Sequence, residues 1–171
     1  MTLASGATLA VAAAAELVSS LDLGSGRAPQ SLTRKVTLGA GTGAGNADLV
    51  WSDRRTLAAS ASESLDLAGT LADAFGATIN FARIKGLLIA ASKDNANNVI
   101  VGAAASNQWA TLLGTAGTLT LRPGAFFALG TDASDATAYA VTASTGDLLK
   151  IANSGAGTGV TYDIHIIGAS A

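Results

Sequence analysis

The chain has no cysteine, two prolines, one histidine and only 5% aromatic residues. The missing cysteine removes disulfides, thiolate metal sites and thiol nucleophiles together. Charge is scarce too: 13% of residues are Asp, Glu, Lys or Arg, about half the share of an ordinary soluble domain. With a net charge of −2, a pI of about 5.1 and no basic block, a nucleic-acid partner is not expected. Mean hydropathy is +0.42, yet no apolar run approaches the roughly 18 residues of a spanning helix, so no membrane partner is expected either. The apolar N-terminal stretch lacks the positive start of a signal peptide, its first basic residue being Arg27. A chain made in the cytoplasm is the expectation.

What is present is small. Apolar residues make up 49% of the 171 positions, largely as alanine, beside 20 glycines and many serines and threonines. Shallow side chains of this kind pack closely, and a surface short of charge over its whole length favours association with copies of itself or with a partner.

From residue 31 onward, short runs of period two alternate with Gly, Asn, Asp and Ser clusters, the pattern of an all-β domain. The expected strands are Leu32–Leu38, Ala47–Leu57, Glu63–Leu67, Ala77–Ala91, Asn98–Ala103, Trp109–Leu113, Thr118–Arg122, Ala125–Leu129, Ala138–Thr142, Asp147–Ala152 and Val160–Ile167. So many strands call for two facing antiparallel sheets, a β-sandwich or jelly roll over residues 31–171. Gly86 marks an expected bulge, and "LADAF", Leu71 to Phe75, an expected helical turn. Residues 1–30 have helix propensity, but their apolar residues wrap all round a helix, and an extended arm or pair of edge strands is the reading adopted.

The motif "GAGTG" occurs at Gly39–Gly43 and again at Gly155–Gly159, and the first copy extends to the G-x-G-x-x-A form of a dinucleotide fingerprint. A phosphate loop needs a helix behind it, whose free N–H groups hold the anion. Alternating segments follow both copies instead, so both read as loops between strands, and no cofactor is expected.

Catalytic and metal chemistry are thinly supplied. Asp163 and His165 share a face of one strand, and a serine brought beside them would complete a triad, but no nucleophile-elbow sequence accompanies them. The oxygen-rich clusters Asp132/Asp135 and Asp94/Asn95/Asn97/Asn98 lack calcium-loop spacing and read as turns. The reading is therefore of a non-enzyme with no metal site. Arg54 and Arg55 form an adjacent basic pair, suited to an acidic partner surface or to pairing with Asp53 and Asp48. Trp51 and Trp109 are by size core residues. With the two arginines they are the candidates for partner contact.

The stretch Ser52–Ile89, then "DNANNVIVGAAASN", "LRPGAFFAL" and the closing "VTASTGDLLKIANSGAGTGVTYDIHIIGASA" resemble small virion proteins encoded among the head and tail genes of tailed bacteriophages. The resemblance runs from residue 47 to the end. It implies a structural role in the virion, foremost as a capsid decoration or cement protein bound to the major capsid protein as a homotrimer of β-sandwich or jelly-roll subunits. A minor tail or fibre component is the competing reading, and a glycan-binding β-sandwich module a further one.

Overall fold

The computed structural model describes residues 3–171. Its elements are all strands: β1 (Ala7–Leu21), β2 (Gly24–Ala40), β3 (Asn46–Ala47), β4 (Leu49–Leu57), β5 (Ser62–Asp66), β6 (Ala68–Ala72) and β7 (Thr78–Asn80). There follow β8 (Arg83–Ala91), β9 (Val99–Gly102), β10 (Thr118–Leu121), β11 (Phe126–Gly130), β12 (Tyr139–Ala140), β13 (Leu148–Asn153) and β14 (Val160–Ala169).

Two antiparallel sheets face each other as a sandwich. One runs β11-β8-β14-β4, with β12 also on β8, and the other β10-β9-β13-β5. The pairing is nested along the chain: the first sandwich strand, β4, lies beside the last, β14, then β5 beside β13, β8 beside β11, and β9 beside β10. Period-two alternation sends Trp51, Leu87, Ile89, Ile164 and Ile166 inward from the first sheet to meet Leu65, Val99, Val101, Leu149 and Ile151 from the second. Each such aliphatic side chain contributes about 1.5–3 kcal/mol by burial.

The N-terminal segment is a hairpin. β1 and β2 pair over fifteen consecutive positions, from Ala7↔Leu38 to Leu21↔Gly24, around the two-residue turn Asp22-Leu23. At about 3.4 Å per residue, this arm is about 50 Å long. β2 continues past residue 30 to Ala40, so the strand expected at Leu32–Leu38 is the second leg of the arm near its root. There β2 pairs in parallel with the short β3.

Four local expectations are corrected. Trp109–Leu113 is not a strand: Gly114 N–H bonds back to the Ala110 carbonyl at 2.8 Å, closing the segment into a turn. Leu71–Phe75 is not a helical turn, because Leu71 and Ala72 end β6 and the Asp73 carboxylate then takes the N–H groups of Phe75 and Ala77, both at 2.9 Å. The run Ala77–Ala91 divides at Phe81–Ala82, whose N–H groups reach the carbonyls of Leu67 and Ala169. Ala138–Thr142 shortens to β12, Val141 instead donating to the Ala82 carbonyl. The expected irregularity near Gly86 is present, one residue away. Ile167 pairs with Gly86 and Gly168 with Ile84, so Lys85 is the extra residue of a bulge in β8.

Candidate interaction surface

The arm is the least covered part of the molecule, and alternation gives its two faces different chemistry. Cross-strand partners share a face: Leu9 with Val36, Ala13 with Leu32, Leu17 with Ala28 on one, and Thr8 with Thr37, Ala14 with Ser31, Glu16 with Pro29 on the other. The first face is mostly apolar, interrupted by Arg34 and Gln30. The second carries Lys35 and the Glu16–Arg27 ion pair at 2.7 Å. Only at the root is the apolar face covered. Leu9 and Val36 lie so close over Gly130 of β11 that a Cβ there would stand 3.1–3.2 Å from their methyl groups. Leu38, Ala47 and Ile167 form a small buried cluster beside this contact, with Val36 and Val50 packed against it. Farther out, Leu17 is 64% exposed, and Leu23 in the turn is fully exposed.

The loop from the arm to the sandwich is the first "GAGTG" copy, and its chemistry is the reverse of a phosphate loop. The Gly39 and Gly41 N–H groups are committed to the carbonyls of Gly45 and Ala47, at 2.9 and 3.1 Å. The Thr42 and Ala44 carbonyls accept from Arg83 Nη2 and Lys85 Nζ. Arg83 also donates from Nη1 to the Ala136 carbonyl at 3.1 Å, joining this loop to the one before β12. Lys85 is 0% exposed. Burial first, and then the neighbouring Arg83 charge, holds its ammonium below the usual lysine range. The middle glycine of each copy has a positive φ, +126° at Gly41 and +93° at Gly157, where a side chain would be strained. The second copy connects β13 to β14. It lies wholly between strands, and the first covers the last two residues of β2 and the turn after them.

The outward face of the first sheet presents cross-strand rows. Phe126, Ala90, Asp163 and Arg54 form one, and Ala128, Leu88, His165 and Ser52 the next. Arg54 grips Asp163 with two bonds, Nε to Oδ1 at 2.6 Å and Nη2 to Oδ2 at 2.9 Å. This hydrogen bonding, more than the charge alone, holds the Asp163 carboxyl below its ordinary range. Ser52 thus neighbours His165, but the carboxylate that would orient the imidazole is engaged with the arginine. Among the described residues no hydrogen bond joins Ser52, His165 and Asp163. Burial lowers the His165 pKa.

Arg55 points the other way, toward the gap between β4 and β5. Its Nε donates to Glu63 Oε2 at 2.7 Å and its Nη1 to Asp53 Oδ2 at 2.9 Å, while the buried Tyr162 hydroxyl donates to Glu63 Oε1 at 2.9 Å. Burial, and then the hydrogen bond to Glu63, pushes the Tyr162 pKa far up. Asp48 has a different partner from the one expected, its carboxylate accepting from the Ser170 N–H at 2.8 Å and hydroxyl at 2.5 Å. Trp51 and Trp109 are both core residues. Trp109 Nε1 donates to the Ala140 carbonyl at 2.9 Å, and its ring meets Tyr139 edge-on at 6.4 Å. Of the four candidate contact residues, the structure leaves only Arg54 on the open face.

The oxygen-rich clusters serve turns. Asp132 accepts from the Ser134 N–H and hydroxyl, Asp135 from the N–H groups of Thr137 and Ala138, and Asn95 exchanges two bonds with the Thr161 backbone. No family model, curated protein or solved structure matches the chain. Two features escaped the sequence reading. The arm's apolar face was signalled by Leu9, Val11, Leu17 and Leu21 at odd positions, with Leu32, Val36 and Leu38 at even ones, but intervening alanines concealed the alternation. The hold of Arg83 and Lys85 on the loop carbonyls was signalled by two charges within an otherwise apolar strand, which needed acceptors.

Proposed function

We propose that this chain is a structural protein of a tailed-bacteriophage particle, a decoration or cement protein that binds the outer surface of the major capsid protein as an oligomer, a homotrimer in the family it resembles. The observation that carries this reading is the arm: a hairpin about 50 Å long, anchored only at its root, with leucines exposed along one face. A two-stranded ribbon is marginal by itself in water, and its open edges and apolar face suit strand addition or docking to a neighbour. The nested strand order adds support, because it is consistent with a jelly roll, a fold shared by viral capsid and lectin domains. That support is an analogy of fold. In this reading each oligomer bridges several capsid subunits, and modest contacts act together through high effective concentration. A glycan-binding module would stack sugars on exposed aromatics; both tryptophans here are buried, and among the described residues the exposed large aromatics are two phenylalanines, Phe75 and Phe126.

The test is quantitative mass spectrometry of purified particles from a lysogen or lysate carrying this gene, with the major capsid protein as internal standard. Copy numbers in the hundreds, lost together with resistance to heat or low salt when the gene is deleted, are expected. A few copies per particle would assign the chain to the tail, and its absence from particles would overturn the reading.

A further inference from the structure

We infer that the apolar face of the arm docks on a second copy of this chain, along the outward rows Phe126–Ala90 and Ala128–Leu88 of its first sheet. Three observations meet here. First, the arm face and the sheet face are already partners within one molecule, since Leu9 and Val36 rest on Gly130 at the root. Beyond that contact both surfaces continue, the arm through Leu32, Leu17 and Leu21 and the sheet through Ala128, Leu88 and Phe126, the last 60% exposed. Second, both surfaces are apolar and stepped. The arm offers leucines beside small residues, and the sheet offers the small Ala90 and Ala128 beside the larger Phe126 and Leu88. Third, where the arm lifts from its own sandwich an apolar groove of about 280 Å³ opens, lined from both sides by Val11, Leu32, Ala128 and Gly130, so that the two surfaces are continuous.

A copy of this chain supplies both halves of such a contact. Because a different patch is used on each side, the contact is heterologous, and it forms a ring where the rotation between copies closes. Two nearby charge pairs are neutralised within the molecule, Arg54 with Asp163 at the end of the Phe126 row and Glu16 with Arg27 on the arm's opposite face, and Arg34 near the root is the one charged residue on the docking face of the arm. This inference goes beyond the virion reading. Its test needs only the purified chain, so failure of either is read separately.

The chain has no cysteine, so single-cysteine variants report contacts without background. Leu17→Cys and Phe126→Cys are purified separately, mixed under mild oxidation and run on a non-reducing gel, where any bond between the two variants must be intermolecular. The expected result is a mixed disulfide formed at least tenfold faster than either homodimer. Light scattering is expected to find the native chain oligomeric, and the paired change Leu17→Asp with Leu21→Asp monomeric, with circular dichroism unchanged in the sandwich. A monomeric native chain overturns the inference, and so does a cross-link confined to Leu17→Cys with itself, which would mean that arms meet arms.

Discussion

Replacing Glu63 with alanine tests whether the Tyr162–Glu63–Arg55 network fastens the two sheets together at their β4/β5 side. Tyr162 is fully buried and its hydroxyl has Glu63 as partner at 2.9 Å. Removing the acceptor strands that hydroxyl, at a cost of about 1–3 kcal/mol. The Arg55 side chain is 35% exposed and keeps its bond to Asp53, so its share of the loss is under about 1 kcal/mol after solvent screening. The sum is about 1–4 kcal/mol, centred on about 2.5 kcal/mol. At about 2–4 °C per kcal/mol for a chain of this length, Tm should fall by about 5–10 °C. The decisive measurement repeats the change in a Tyr162→Phe background, by urea denaturation followed with tryptophan fluorescence. With no hydroxyl left to strand, Glu63→Ala should then cost only the Arg55 share, a coupling of about 1–3 kcal/mol. Equal costs in the two backgrounds would refute the reasoning.

Trp109→Ala should destabilise by about 3–5 kcal/mol, as expected for a buried tryptophan, without altering the association of molecules that remain folded; a change in light-scattering mass at unchanged Tm would return this residue to the interface. His165 titrates below its ordinary range because it is buried, so the unfolded chain takes up a proton first as pH falls. Stability is therefore lost from about pH 6.5 downward, and melting curves at pH 7.5 and 5 should show a smaller acid loss in His165→Gln than in the native chain.

The sandwich was legible because its strands are short, alternate cleanly and are bounded by turn residues. Val160–Ile167 was read from "VTYDIHII" and lies within β14. Errors fell where tertiary contacts override local pattern. Trp109 looks like the start of a strand because it is large and apolar, but it is buried from a turn, with its indole N–H on the Ala140 carbonyl. Asp73 ends β6 by collecting N–H groups from residues just ahead of it, and no periodicity encodes that. The site was less legible still. Arg54 and Arg55 are adjacent in sequence, yet the pleat sends one to the outward face and the other between the sheets, to Glu63 on β5. Asp163 lay beside His165 on paper, and the partner that claims it comes from β4.

The scarcity of charge acquires a location in the fold. Within the sandwich the ionic groups largely satisfy one another or the backbone: Arg54 with Asp163, Arg55 with Glu63 and Asp53, Asp48 with Ser170, and Arg83 and Lys85 with loop carbonyls. The arm is different. Its apolar face has one charged residue, Arg34, opposite Val11, and none from Ala13 to Leu21 or on the strand facing it. A soluble edge is usually protected by lysines, prolines or bulges. Here Pro29 and Lys35 stand on the opposite face, and the apolar face is left bare over most of its length. Arg83 and Lys85 hold the connecting loop to the sandwich at the root, which fixes the direction in which that bare face is presented. An arm that had only to stay soluble would gain from charges at Leu17, Leu21 and Leu32, all of which are exposed. Leucine at all three positions is what the proposed docking requires.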